Sequence, residues 1–320
     1  MTELIARVAQ RPNFAALAVG LVLIPLILLG NFAVALLVGC AVGIALDRAP
    51  VAGASQIGKL ALQAGIVLLS FRMDLGQLGS IGAHYLLWIV VFVTVTLLSG
   101  VALMRLLRLE RALGLLLAAG TAICGGTAIA CLGPTVRARS EQIAIALAIV
   151  FLLNTVALLT FPMVGRWLGL SQEAFGVWSA LAIHDTASVV GTAAQYGDES
   201  LVVATAVKLG RMLCLVPVAL VFAFVCREQA ENAAKRPAIP RFILLFLAGV
   251  ALSSVVQLPT VLMTTTSSLS HALLVVAVFF IGTELRRTTL VKVRGRALIF
   301  ALSLWIGVVG TTLAAVTLLV

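Results

Sequence analysis

Apolar tracts long enough to cross a lipid bilayer recur along this chain, and two of them are interrupted near their centres by small and polar residues. A spanning helix needs about 20 mostly apolar residues, and its backbone groups must be satisfied without water. The first interruption, residues 120–131, reads GTAICGGTAIAC; the second, residues 182–191, reads AIHDTASVVG. Gly125 and Gly126 each lower helix propensity by about 1 kcal/mol relative to Ala, so the first tract is expected to break there. Broken backbone at membrane depth is tolerated only where it is buried in protein or lines a cavity.

Hydrophobic residues make up 62% of the 320 positions and charged residues 11%, which leaves no water-facing surface for a soluble globule of this size. The expected class is an all-α polytopic membrane protein with about nine spanning helices, plus two broken segments, either re-entrant or crossed. The formal charge of +10 is concentrated in short loops. It reads as topology information, so no nucleic-acid partner is expected. The cysteines at positions 40, 124, 131, 214 and 226 sit in or beside apolar tracts with no CxxC spacing, which argues against a disulfide framework or a metal site. Neither a cofactor nor a metal is expected.

Residues 14–46 are too long for one span and short for two, so Gly30 and Asn31 are expected to divide them into two short helices. Further helices are expected near 60–71, 84–104, 140–167, 198–225, 242–256, 273–285 and 298–320, with a neutral Thr/Ser-rich turn before residue 273. The broken segments occupy about 113–132 and 175–196. Each is followed by an acidic helix start (Ser140 and Glu141; Asp198 and Glu199), then a polar midpoint (Asn154; Lys208 and Arg211) and a late proline (Pro162; Pro217). That is an internal repeat of two elements. Residues 65–75 and 275–285 form a second, fainter echo. Trp167 and Trp178 read as an interface belt. Residues 1–320 are read as one transmembrane domain, with 113–225 as its core and 14–106 and 242–320 flanking it.

Loop charge bears on how the broken segments thread. If both are hairpins, Arg7, Arg11, Arg48, Lys59, Arg105, Arg108, Arg111, Arg137, Arg139, Lys235, Arg236, Arg286, Arg287, Lys292 and Arg294 share one side. Asp198 and Glu199, with isolated Arg72 and Arg166, take the other. If both segments span fully, Arg137 and Arg139 move outside. The positive-inside bias therefore favours hairpins and a cytoplasmic basic face in a bacterial inner membrane, although crossed helices obey the same backbone logic.

Lys208 and Arg211 fall about 14 to 18 Å along their helix, near the midplane of a core about 30 Å thick, and share one helix face. Cys124 and His184 reach similar depth. An ionisable residue there is a functional hypothesis by default. Asp185 offsets one of the two positive charges, and half-helix N-termini add positive potential, a balance that suits a small oxyanion. The expected substrate set is Cys124, Gly125, Gly126, Thr127, Thr186, Ser188, Lys208 and Arg211. His184 and Asp185 would couple protons or ions, with Thr121 and Asn154 supporting. Other readings stay open: Lys208, Arg211 and Asp185 as a structural set that satisfies broken helix ends, Cys124 as a filler, Asn154 as interhelical glue, or Asp185 as the ligand of a proton or sodium antiporter. An enzyme built on Cys124, His184 and Asp185 is disfavoured, because adjacent helical residues point about 100° apart.

The segments GTAICGGTAIA, AIHDTASVVG and KLGRMLCLVP (residues 208–217) resemble the sulfate exporter family of bacterial inner-membrane proteins, part of the cation-proton antiporter and anion transporter superfamily. The resemblance covers nearly the whole chain. It implies an inverted-repeat secondary transporter exporting a small sulfur oxyanion such as sulfate or sulfite, with Cys124, Gly125, Gly126, His184, Asp185, Lys208 and Arg211 lining the site. The expected partners are a small anion and the lipid bilayer, and the oligomeric state stays open between monomer and homodimer.

Overall fold

The computed structural model describes residues 12–73, 75–225, 241–256, 259–293 and 295–319. Arg7, Arg11, Asp74, Cys226, Lys235, Arg236 and Arg294 lie outside these. Every regular element of the described chain is a helix. Its elements are α1 (Pro12–Leu29), α2 (Phe32–Leu46), α3 (Ala54–Leu69, extended by a 3-10 turn Ser70–Arg72) and α4 (Leu75–Leu106). Then come α5 (Arg111–Ala122), α6 (Gly126–Leu132), α7 (Ser140–Trp167), α8 (Gln172–Ala182), α9 (Thr186–Ala194), α10 (Asp198–Leu213) and α11 (Leu215–Val225). The last four are α12 (Arg241–Val255), α13 (Thr260–Gly282), α14 (Arg287–Lys292) and α15 (Gly295–Leu319). Six helical stretches among the described residues are long and apolar enough to cross a bilayer, α10 and α11 counting as one. This is an all-α multi-pass membrane protein.

Two polar clusters fix how the broken segments thread. Glu110, just before α5, accepts from Arg139 at 2.9 Å and from Gln142, at the start of α7. The chain therefore enters and leaves α5–α6 on one face. Gln142 also closes a capping box on the Arg139 N–H at 2.7 Å. At the other end of α7, which at 28 residues is about 42 Å long, Gln172 at the start of α8 accepts from the N–H of Glu199 at 3.1 Å. Tyr196 reaches Leu170 O at 2.6 Å. So α8–α9 also returns to the face it left, and that face is the opposite one. Both broken segments are re-entrant hairpins, inverted relative to each other. At 12 and 11 residues, α5 and α8 descend about 18 and 16 Å, just past the midplane.

The remaining contacts agree. Arg72 pairs with Asp198 at 3.0 Å on the outer face, while Ser55 donates to Glu284 at 2.7 Å and Asp47 accepts from the Thr288 N–H at 3.0 Å on the inner one. Arg48, Lys59, Arg105, Arg108, Arg111, Arg137, Arg139, Arg286 and Arg287 thereby gather on one face, the cytoplasmic face by the positive-inside bias. α3 and α13 run antiparallel in close contact, and α2 lies along α13. A Cβ on Gly39 would sit 2.2 Å from Phe279 O, so only glycine permits that approach.

Three expectations are corrected. The Thr/Ser-rich stretch before residue 273 is not a turn but the first half of α13. Thr265 and Thr266 donate to Val261 O and Leu262 O at 2.9 and 2.8 Å, four residues back, and Ser270 donates to Gly65 O at 2.7 Å. With hydroxyls satisfied by carbonyls in this way, the helix persists in an apolar medium. Trp178 is not at an interface: it is 1% exposed, stacks on Phe161 and donates to Val309 O at 3.2 Å. The expected single helix over 198–225 is divided at Cys214.

Candidate functional site

The tips of the two hairpins meet at the centre of the bundle. At the first, Gly125 has φ +59° and ψ −118°, a left-handed backbone that a side chain would strain. A Cβ there would lie 3.1 Å from Val150 and 3.3 Å from His184. At the second, Ile183 and His184 form the non-helical link between α8 and α9, and Asp185 is the N-cap of α9. Its carboxylate accepts from the N–H groups of Ala187 and Ser188 at 2.9 and 3.0 Å and from the Ser188 hydroxyl at 2.5 Å.

Breaking a helix strands its last carbonyls, and the structure accounts for each of them at α8. Arg211, fully buried, donates to Ala180 O and Leu181 O at 2.7 Å and to Ile183 O at 3.3 Å. Trp305 donates to Ala182 O at 3.0 Å. Lys208, also fully buried, donates to Ile183 O at 2.8 Å and His184 O at 2.5 Å. The same two cations serve α5: Arg211 donates to Ala122 O at 2.8 Å and to Thr121 O, and Lys208 to Ile123 O at 3.3 Å. The ring of Phe92 covers the guanidinium at 4.8 Å. Two positive charges thus face the negative ends of two half-helix dipoles, where cations are stabilised.

Asn154, from the middle of α7, completes the second tip. Its Oδ1 accepts the backbone N–H of His184 at 3.1 Å and lies 3.1 Å from the His184 ring Nδ1. The backbone N–H can only donate, which sets the amide orientation, and an oxygen acceptor requires the imidazole proton on Nδ1. Among the described residues, His184 Nε2 and Asn154 Nδ2 are buried with no hydrogen-bond partner. Buried polar atoms left unpaired in this way are rare.

Of the residues expected to form the site, Lys208, Arg211, Cys124, Gly125, His184, Asp185 and Asn154 converge on the tips. Thr121 contributes through its carbonyl. The Thr186 hydroxyl is spent on Met212 Sδ at 3.5 Å and that of Ser188 on Asp185. Thr127 is exposed and Gly126 and Asp185 are half-exposed, while their neighbours in the tips are buried. Phe92 and Trp305 join the site without a place among the expected residues. An indole in the middle of an apolar helix is the available signal for Trp305, because its N–H needs an acceptor.

Fold and site together define a polytopic helical membrane protein with two opposed re-entrant hairpins braced by buried cations. The chain belongs to the family described as Conserved hypothetical protein 698, whose model matches residues 14–301. It is similar to UPF0324 membrane proteins from several bacteria. These include that of Porphyromonas gingivalis, 40% identical over 83% of this chain and 81% of the relative, and that of Geobacter sulfurreducens, 37% identical over 89% and 90%. That of Bdellovibrio bacteriovorus is 40% identical over 89% and 88%. No solved structure matches the chain.

Proposed function

We propose that this protein is a secondary transporter of a small inorganic or sulfur oxyanion such as sulfate or sulfite, working by alternating access about the hairpin tips. One observation carries the reading: hairpins entering from opposite faces meet at Gly125 and His184, with Lys208 and Arg211 buried behind them. Discontinuous helices in inverted repeats, meeting at mid-depth, are how many carriers build a site reachable from either side. The surplus of fixed positive charge over Asp185 favours an anion. The exposure of Thr127 and the partial exposure of Asp185 support access to the tips.

The Lys208 ammonium occupies a cage of three carbonyls drawn from both breaks, Ile123, Ile183 and His184. In sodium-coupled carriers, unwound carbonyls and half-helix C-terminal ends hold the ion. Here a tethered cation fills that position, which supports an anion carrier with a resident counter-charge. The same cage and Asp185 also support a second reading, a proton- or sodium-coupled antiporter in which the ion displaces Lys208.

Thermal unfolding of purified protein separates the two. The anion reading predicts stabilisation by sulfate or sulfite that is lost in Lys208→Met and kept in Asp185→Asn. Stabilisation by sodium or by proton concentration that is lost in Asp185→Asn favours the antiporter.

A further inference from the structure

A cavity of about 930 Å³ lies between α4, α5 and α11 and opens towards the membrane, where Leu98 and Val221 are more than half exposed at its mouth. Its walls are almost wholly apolar, with Val101, Leu115 and Phe222 among them. On α4 it runs from Val90 to Arg105, about 22 Å of helix, from the cytoplasmic face past the midplane. At the cytoplasmic end both Arg105 and Arg111 line it. Neither arginine forms an ion pair among the described residues, whereas Arg72 and Arg139 on the same bundle are matched by Asp198 and Glu110.

An occupant must therefore be long, apolar for most of its length and anionic at its cytoplasmic end. Inorganic anions lack the tail, and a zwitterionic lipid leaves the two guanidiniums poorly matched. We propose that this groove binds one anionic phospholipid, its phosphate held by Arg105 and Arg111 and an acyl chain lying between α4 and α11. Basic pockets between helices on the cytoplasmic side recognise anionic headgroups in this manner, and Arg pairs phosphate bidentately. The chain would touch Leu115 and Ala118 of the first hairpin and Pro217 beyond Arg211, so the lipid buttresses the scaffold of the tips from outside. The assignment stands independently of the transported substrate.

The test uses purified, delipidated full-length protein in detergent, with lipid retention read by native mass spectrometry and thermal unfolding. Phosphatidylglycerol and phosphatidylcholine with identical acyl chains are the probes. Wild type is expected to retain one phosphatidylglycerol and to be stabilised by it. Arg105→Gln with Arg111→Gln is expected to bind about 30-fold more weakly, from the usual contribution of two interfacial basic residues. Val218→Trp, which fills the groove and leaves both arginines intact, is expected to lose the lipid as well, and Arg287→Gln to keep it. Equal binding of phosphatidylcholine, unchanged binding by the double variant, or equal stabilisation by inorganic phosphate overturns the proposal. So does efficient cross-linking of two copies through Leu98→Cys in place of lipid retention.

Discussion

A single oxygen, Asn154 Oδ1, receives both the backbone N–H and the ring Nδ1 of His184, each at 3.1 Å, thirty residues along the chain. The long helix of the first repeat thereby sets the tip of the second hairpin and leaves Nε2 of His184 as an acceptor with no partner among the described residues. Lys208 and Arg211 make the complementary reach from the second repeat to the first tip.

Removing that acceptor in Asn154→Leu leaves a buried N–H and an imidazole without a partner. The expected loss is about 1–3 kcal/mol of stability for the orphaned groups, measured by thermal or denaturant unfolding in detergent. Asn154→Asp keeps the acceptor for both donors and is expected to recover part of that loss.

Arg211→Lys keeps the charge and loses the fork. An ammonium has three donors, against the carbonyls of Thr121, Ala122, Ala180, Leu181 and Ile183 that the guanidinium now serves. Ile183 O also accepts from Lys208, so four of these carbonyls depend on Arg211 alone and at least one loses its partner. The substitution is expected to lower the unfolding temperature, though less than Arg211→Met, in the same assay.

The threading of the first hairpin has its own test. Cysteines placed at Leu109 and Ala138 in a cysteine-free background are expected to react with an impermeant maleimide only from the cytoplasmic side. A fully crossing segment would expose position 138 in intact cells instead.

Glu284, on the cytoplasmic side beyond α13, has its carboxyl held above the usual range. Burial is the main cause and the nearby Asp185 carboxylate adds to it, while the Ser55 hydrogen bond opposes both. A raised folded-state value means the folded protein holds this proton more tightly than the unfolded chain does. Stability from this group is thus complete below the ordinary carboxylate range and falls as pH rises through the raised value. Glu284→Gln is expected to flatten the fall in unfolding temperature between acid and neutral pH, leaving the variant the more stable of the two at neutral pH.

Much of this arrangement is legible in the chain itself. Length and hydropathy define the class, Gly125 and Gly126 mark the first break, and the basic loops favour hairpins. The depth of Lys208 and Arg211 is readable from helix rise alone. What those cations touch is not readable, because their partners are main-chain carbonyls, and every residue carries one. The contacts of these two residues are those of a brace for broken helix ends. The Thr/Ser-rich half of α13 misleads a water-based intuition, since in lipid those hydroxyls turn inward to carbonyls.

The most direct measurement is exchange of radiolabelled sulfite or sulfate across proteoliposomes containing the purified protein. Saturable counterflow is predicted for wild type and its loss for Gly125→Ala, where a Cβ would strain a left-handed backbone and press on Val150 and His184. Absence of counterflow for every small oxyanion tried, alongside sodium–proton exchange that depends on Asp185, would contradict the account.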